Sequence, residues 1–263
     1  MVQFALNTCS IGASPRGNLS FPDQVTAAAQ AGFSLLGLDV NTIREFISEG
    51  NSIEDMRAFL DDNGMGCLEV HILRCGLAGI ENTNHEREAH EIALWAQVLG
   101  APWVNNSVYI GIHDGAIEHV QKCSAILKQY GVGLSVEFQP ENALATVEQA
   151  LELTRAIGDD AVRIQPDTWH LFRGDSRLST LAGAAAREIA FVQFGDGSPS
   201  NSATDDRALP GYGEFDLEAF VEVIEKTGFD GVVEIETFVS ELMRGDAARS
   251  ARIQLERTTP YWE

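Results

Sequence analysis

Short apolar runs alternate with longer amphipathic stretches along the chain. The runs are mostly apolar throughout, which is typical of strands in a parallel sheet that is covered on both faces. They lie at residues 4–6, 35–38, 67–72, 103–105, 133–138, 162–164, 189–193 and 232–236. Between them, apolar residues recur at helical spacing. The pattern therefore predicts a regular succession of strands and helices.

The helical stretches carry start and stop signals. Ser52 followed by Asp55 resembles a capping box in which Asp replaces the usual Glu. Further helical patterns cover residues 84–99, 114–129, 146–157, 177–186, 216–227 and 244–257. Glycines stand where helices should end, at Gly32, Gly64, Gly100, Gly131, Gly158 and Gly228.

The number of units decides the fold class. Eight strands in 263 residues give about 33 residues per unit, close to the size of one strand–helix repeat. Eight alternating units predict an α/β fold, a single (β/α)8 TIM barrel over residues 1–263. An open, doubly wound sheet is the competing fold. It would favour a Gly-x-Gly-x-x-Gly fingerprint after the first strand, and the sequence has none there.

The charge of the chain restricts its partners. There are 39 acidic and 18 basic residues, which gives a formal net charge of −21. The phosphates of a nucleic acid and the surface of an anionic membrane would both be repelled. We therefore expect neither as a partner, whereas assembly into a homo-oligomer is left open.

The termini and cysteines indicate the compartment. Residues 1–7 lack the basic segment of a signal peptide, and no run approaches the roughly 18 apolar residues of a membrane span. None of the four cysteines, Cys9, Cys67, Cys75 and Cys123, belongs to a Cys-x-x-Cys pair, which disfavours a zinc knuckle or a dithiol redox site. We expect a cytoplasmic protein with reduced cysteines, mostly buried as small apolar groups.

Polar residues interrupt the predicted strands near their carboxyl ends, where a TIM barrel places its chemistry. In the run 133–138 the apolar residues share the face toward the helices, so Glu137 points into the barrel. The same alternation turns Glu234 and Glu236 inward, with Glu236 nearer the mouth. Asp167 and Gln193 lie at the corresponding ends of the sixth and seventh strands.

Carboxylates that converge inside a barrel need a cation, because an isolated buried charge is costly. Glu137, Asp167 and Glu236, with Gln193 supplying an amide oxygen, form an oxygen-only set suited to Mn²⁺ or Mg²⁺. The alternative is that each acid pairs with a basic residue of the barrel. Arg163 and Arg74 are the few candidates, and we predict that one of them, with Arg163 the leading candidate, neutralises Glu234 in a lower layer.

Aromatic and histidine side chains follow the same strand ends. His170 comes three residues after Asp167 at the reactive face, so we expect it to contact substrate; the alternative is a hydrogen-bonded histidine at a helix start. We also expect His71, at the end of the third strand, and Trp169 to line the pocket.

The segment 207–216 is the most distinctive loop, because Pro210, Gly211 and Gly213 impose a shaped turn. Arg207 is placed to reach an anionic or polyhydroxyl substrate. Asp216 is a candidate cap for the helix that follows. The alternative is a simple turn, but the long connection from Gly195 onward suggests a lid.

Four motifs in the second half resemble those of the sugar phosphate isomerase/epimerase group of xylose isomerase-like TIM barrels. They are Val136-Glu137-Phe138, Asp167-Thr168-Trp169-His170, Arg207-x-x-Pro210-Gly211-x-Gly213, and Gly228-Phe229-Asp230-Gly231 leading to Glu236. The first half agrees only in its alternation of strands and helices. The superfamily also includes ketohexose 3-epimerases, inosose and dehydroshikimate dehydratases, and apurinic endonucleases.

The resemblance implies one divalent metal ion, Mn²⁺ or Mg²⁺ with Co²⁺ or Zn²⁺ as alternatives, held by Glu137, Asp167, Glu236 and the residue at the end of strand seven. Many members have His at that last position, where this chain has Gln193. The resemblance further implies that Glu137 and Glu236 form the acid/base pair, and that His170 and Arg207 contact substrate.

The reaction implied is isomerisation or epimerisation of a sugar or related hydroxyketone. Glu137 would remove a proton beside a metal-polarised ketone, and Glu236 would return one to the resulting enediolate. If a hydroxyl leaving group lies beta to the carbonyl, the same proton removal would lead to dehydration of a cyclic polyhydroxy ketone. A non-catalytic barrel that only binds such a molecule is a third alternative. An apurinic endonuclease is disfavoured by the few histidines near the site and by the charge of −21.

Overall fold

Eight parallel strands form the centre of the protein. The computed structural model describes residues 2–73, 84–108 and 114–263. The strands follow one another around the sheet in the order β6-β5-β4-β3-β2-β1-β8-β7. They are β1 (Gln3–Asn7), β2 (Leu35–Asp39), β3 (Gly66–Leu73), β4 (Trp103–Ser107), β5 (Gly133–Glu137), β6 (Val162–Gln165), β7 (Val192–Phe194) and β8 (Val232–Ile235). Parallel bridges from Ile164 to Ile189 and from Asp167 to Gln193 join the two ends, which closes the barrel.

Helices cover the outside of the barrel. They are α1 (Phe21–Ala31), α2 (Val40–Ser48), α3 (Ile53–Asp62), α4 (Asn84–Leu99), α5 (Asp114–Gln129), α6 (Val147–Ile157), α7 (Thr168–Arg173), α8 (Leu178–Leu181), α9 (Leu217–Lys226), α10 (Ser240–Met243) and α11 (Ala247–Thr258). Across the described ranges, none of these helices is both long and apolar enough to cross a membrane.

The predicted TIM barrel is therefore confirmed, and so are the local signals that predicted its helices. Ser52 and Asp55 form a reciprocal capping box at the start of α3. All six glycines predicted to end helices have a positive φ, the conformation that a glycine adopts most easily.

Two elements differ from the prediction. The helix expected at 177–186 is only the single turn α8, because Gly183 disfavours a helix and a new 3₁₀ turn starts after Ala185. Strand β7 begins at Val192 rather than at residue 189, since Ile189 makes only an isolated bridge to β6.

The barrel interior is layered. Ala5, Leu68 and Phe191 form a small apolar cluster of their own. In another layer Gln165 accepts hydrogen bonds at 2.8 Å from both Asn105 and Ser135. The carboxylates of Glu69, Glu137, Asp167, Glu234 and Glu236 are buried as well. Polar side chains thus fill much of the barrel's centre.

The predicted pair of Arg163 and Glu234 is wrong. The Arg163 Nε donates to the backbone oxygen of Asp160 at 3.0 Å, and its guanidinium lies 5.1 Å from the ring centroid of Trp103. Its side chain therefore contacts Asp160 and Trp103 rather than Glu234. Glu234 of β8 is paired with Gln193 of the neighbouring strand β7. Arg74, the other candidate, lies outside the described residues.

Candidate active site

A pocket of about 290 Å³ opens at the carboxyl ends of the strands. It is lined by six of the predicted site residues: His71, Glu137, Trp169, His170, Arg207 and Glu236. The other two, Asp167 and Gln193, are also buried beside the carboxylates that line it. The structure thus brings all eight predicted residues to one region of the barrel.

Glu137 ends β5 and is held by its strand neighbours. Its Oε2 accepts hydrogen bonds from the Ser107 hydroxyl at 3.2 Å and from the Gln139 amide at 2.7 Å. Its Oε1 lies 3.6 Å from Nε2 of His170. Burial, together with the nearby charges of Glu236 and Asp167, raises the pKa of Glu137 to about 8. A carboxyl with such a pKa can give or take a proton near neutral pH.

Asp167 caps the short helix α7, which places His170 against the same carboxylates. The Oδ1 of Asp167 accepts a hydrogen bond from the backbone of Trp169 at 2.8 Å, and its Oδ2 lies 3.6 Å from Nε2 of His170. Burial raises the pKa of Asp167 to about 7, although Arg207 opposes the shift. Burial, reinforced by Arg207 and Arg173, lowers the pKa of His170 well below its ordinary value. His170 is therefore a neutral imidazole.

Arg207 supplies a buried positive charge at the site. Its Nη1 lies 2.6 Å from Oε2 of Glu236 and 3.5 Å from Oδ2 of Asp167. The guanidinium carbon lies 5.0 Å from the ring centroid of Trp169 and 4.4 Å from that of Phe238. These two rings hold the cation against the carboxylates by cation–π contact.

Gln193 contacts both glutamates of the eighth strand segment. Its amide nitrogen donates to Oε2 of Glu234 at 2.7 Å and to Oε1 of Glu236 at 3.5 Å. Its own Oε1 is buried and accepts no hydrogen bond from the described residues. Burial and the charge of Glu69 raise the pKa of Glu234 well above its ordinary value. Gln193 as a metal ligand stays a prediction.

The predicted pocket residue His71 belongs to a cluster that the sequence analysis missed. Its Nδ1 lies 2.9 Å from Oε1 of Glu69, and its Nε2 lies 3.8 Å from both Oδ2 of Asp39 and Sγ of Cys9. Burial lowers the pKa of His71, but Glu69 and Cys9 together outweigh it and raise the pKa well above the ordinary value. Cys9, Asp39 and His71 all lie at the ends of β1 to β3, so the strand-end rule applied to the first half would have found them.

Asp196 organises the loop that delivers Arg207. Its carboxylate accepts hydrogen bonds from the backbone of Gly211, Gly213 and Phe215 at 2.9, 2.9 and 3.2 Å. A Cβ at Gly213 would overlap that carboxylate and lie 2.5 Å from the backbone of Gly197. The segment from Gly211 to Phe215 is therefore held in place by a buried acid, while a lid over the rest of the connection from Gly195 stays a prediction. Asp216 caps α9, as predicted.

Among the residues that the structure describes, two groups of side chains at the barrel mouth have the composition of metal ligands. Oxygen and nitrogen atoms of Glu137, Asp167 and His170 lie within 4.8 Å of one another, and so do ligand atoms of Cys9, Asp39 and His71. Both groups are buried. The first group contains two of the predicted ligands and adds His170, which had been predicted to bind substrate.

Comparisons with known sequences identify the family of the chain. Residues 25–258 match the family model of the xylose isomerase-like TIM barrel. The chain is 30% identical over 152 residues to an inosose isomerase of Bacillus velezensis, a match that covers 56% of this chain and 54% of the relative. It thus spans about half the length of that relative. It is 25% identical over 237 residues to a 2-oxo-tetronate isomerase of Haemophilus influenzae, covering 81% of this chain and 86% of the relative.

Solved structures of similar shape cover nearly the whole chain. The IolI protein with a bound zinc atom superimposes with a TM-score of 0.87 at 19% identity, covering 99% of this chain and 98% of the other. D-psicose 3-epimerase from Clostridium cellulolyticum, in complex with D-tagatose, gives a TM-score of 0.77 at 14% identity and covers 99% of each chain. At these identities the likeness concerns the fold. With the family match over most of its length, the chain belongs to the xylose isomerase-like TIM barrel family.

Proposed function

We propose that the protein is a divalent-metal-dependent isomerase or epimerase of a sugar or a related polyhydroxy ketone. The observation that carries this proposal is the convergence of Glu137, Asp167 and Glu236 with His170 and Arg207 at one pocket. Relatives named as an inosose isomerase and a 2-oxo-tetronate isomerase support the same class of reaction.

The side chains at the mouth fit a divalent cation. Glu137 and Asp167 are buried carboxylates with raised pKa values, and Oδ2 of Asp167 accepts no hydrogen bond within the described part of the chain. A cation would relieve the repulsion between these two carboxylates. Glu137, Asp167, Glu236 and the neutral imidazole of His170 would hold it, with Gln193 as a further predicted ligand. When bound, a divalent metal polarises a ketone oxygen and so acidifies the adjacent carbon.

The proton transfers would fall to Glu137 and Glu236. They stand at the ends of different strands, β5 and β8, so they can address a substrate carbon from two sides. Glu137, kept as a carboxylate by the cation, would take the proton, and Glu236 would return one. Arg207 would stabilise the negative charge that develops on the substrate, because it is a buried and permanently charged donor.

Isotope exchange tests the proposal. The purified protein would be loaded with Mn²⁺, Mg²⁺, Co²⁺ or Zn²⁺ and incubated in deuterated water with ketoses, inososes and 2-oxo-tetronates. We expect deuterium at the carbon next to the carbonyl, together with an isomer or epimer, and neither in the presence of a chelator. Loss of water from the substrate would identify a dehydratase instead. Tight substrate binding without exchange would identify a non-catalytic barrel.

A further inference from the structure

A second cluster of metal-ligand type lies at the opposite strands of the barrel mouth. Sγ of Cys9 and Oδ2 of Asp39 each lie 3.8 Å from Nε2 of His71, and the three atoms lie within 4.8 Å of one another. Their residues are 4%, 6% and 5% exposed, and all three line the same pocket as Glu137. None of them belongs to the ligand set proposed above.

Each of these side chains is oriented by a further contact. The Nδ1 of His71 faces Oε1 of Glu69 at 2.9 Å, an arrangement that turns Nε2 toward the cluster. Metal-binding histidines are usually oriented in this way by a carboxylate. The Oδ1 of Asp39 accepts the backbone N–H of Asn41 at 2.7 Å, which leaves Oδ2 for the cluster.

Cys9 is held by hydrogen bonds from both its backbone and its thiol. Its N–H donates to Oδ1 of Asn7 at 3.1 Å, and Asn7 in turn donates to Oε1 of Glu236 at 3.1 Å. The thiol donates to the backbone oxygen of Ser14 at 3.3 Å. A metal ion that binds here would therefore have to displace both the thiol proton of Cys9 and the proton on Nε2 of His71, because the ligands are a thiolate and a neutral imidazole.

We propose that Cys9, Asp39 and His71 bind a second divalent cation, of the softer kind represented by Zn²⁺ or Co²⁺. A thiolate, an imidazole and a carboxylate suit these ions better than Mg²⁺ or Mn²⁺. Three protein ligands leave a fourth position, and the three residues line the substrate pocket, so that position is available to a substrate oxygen. The lack of a Cys-x-x-Cys pair disfavours a zinc knuckle, but this cluster combines one cysteine with two ligands from the neighbouring strands β2 and β3.

Cobalt titration of the metal-stripped protein tests this site without reference to turnover. Co²⁺ bound to a thiolate gives a charge-transfer absorption in the near ultraviolet, and the set of Glu137, Asp167 and His170 contains no sulfur. We expect two Co²⁺ ions per chain and a thiolate band in the wild type. Cys9→Ser should bind one ion and lose the band. Cys123→Ser, a change on α5, should behave like the wild type.

Glu137→Gln distinguishes the two sites, because it should weaken binding of the ion at Glu137, Asp167 and His170 and keep the thiolate band. Failure of the proposed isomerase activity would thus leave this test unaffected. Asp39→Asn serves as a second variant, since Asn can still cap α2. Loss of a group that only hydrogen-bonds to a metal ligand costs about 10–100-fold in metal affinity. Loss of Asp39 as a direct ligand should therefore weaken binding of the thiolate-linked ion by at least ~10-fold. A wild type without a thiolate band, a band that survives Cys9→Ser, or an unchanged affinity in Asp39→Asn would overturn the proposal.

Discussion

The Nη1 atom of Arg207 lies 2.6 Å from Oε2 of Glu236 and also donates to the backbone oxygen of Glu236 at 3.1 Å. Arg207 is only 7% exposed, so this ion pair is shielded from water. The same nitrogen lies 3.5 Å from Oδ2 of Asp167. One arginine from the long loop after β7 thus partly neutralises two acids of the proposed metal site.

Replacing Arg207 should destabilise the metal-free protein. Arg207→Ala leaves buried carboxylates without their cation, and breaking a buried pair in this way costs roughly 3–5 kcal/mol. The loss should be larger at pH 8 than at pH 6, because more of the carboxyl groups are then charged. Urea unfolding in the presence of a chelator measures it.

Arg163→Ala is the matched control. Its guanidinium packs on Trp103 away from the carboxylates, a contact worth about 0.5–1 kcal/mol when exposed. Equal losses in the two variants would show that Arg207 does not balance the acids.

Glu137→Gln should lower both metal retention and turnover. The change removes one negative charge from the ligand set and removes the proposed base, whose contribution is typically at least ~100-fold. Metal content after dialysis and the initial rate with the substrate found by isotope exchange would be compared with Glu118→Gln. That control removes a surface carboxylate which pairs only with Lys122 at 2.9 Å among the described contacts. Wild-type metal content and rate in Glu137→Gln would remove Glu137 from the site.

The metal-free protein should lose stability as the pH rises. Burial raises the pKa of Glu137 to about 8 and that of Asp167 to about 7, so the folded state keeps protons that the unfolded chain has released. The unfolded state then binds fewer protons, and the free energy of unfolding falls from about pH 4 to about pH 8. The stabilising contribution of these two carboxyls is fully present below their pKa in the unfolded chain. It is lost as the pH rises through their pKa in the folded protein.

The matched measurement compares the free energy of unfolding at pH 5 and pH 8 for the wild type and Glu137→Gln, both with a chelator. The variant should show a shallower decline, by an amount on the order of a few kcal/mol. An identical decline in both proteins would mean that Glu137 titrates normally when the metal is absent.

The fold was predictable from the sequence because each strand–helix unit carries its own local signal. Apolar runs, capping residues such as Ser52 and helix-ending glycines act within a few residues of one another. The second-half site was predictable for a related reason, since alternation decides which side chains point inward. Alternation does not give their height in the barrel, however. Arg163 pairs in register with Ser135, whereas Glu234 pairs with Gln193, so the two never meet.

Residues whose role depends on distant backbone were harder to predict. Asp196 looks like the end of an apolar run, and its function appears only when the amides of Gly211, Gly213 and Phe215 fold back onto it. Cys9 follows β1, whereas Asp39 and His71 belong to β2 and β3, and the three lie roughly 30 residues apart, about one strand–helix unit each. Each is an isolated polar residue in the sequence, and only the closed barrel brings them together.

Glu234 and Glu236 should respond differently to the same substitution. Both point inward and lie about 6.6 Å apart along the strand. Glu236 lines the pocket and pairs with Arg207, whereas Glu234 is fully buried and its raised pKa indicates a protonated carboxyl. Glutamine has nearly the shape of a protonated glutamate, and its oxygen can still accept the hydrogen bond from Gln193.

Glu234→Gln should therefore change the free energy of unfolding by less than about 1 kcal/mol and leave most of the turnover, because it exchanges one neutral hydrogen-bonding group for another. This reverses the expectation drawn from an Arg163 partner, under which Glu234→Gln would have exposed a buried cation. Glu236→Gln should remove nearly all turnover, because it deletes the proposed proton donor and a metal ligand. It should keep most of its stability, since Arg207 still faces Asp167 at 3.5 Å. Melting temperature and initial rate, measured on both variants under the same metal loading, decide the matter. A Glu234→Gln protein that melts far lower than the wild type would show that this carboxyl is charged, and that a cation balances it.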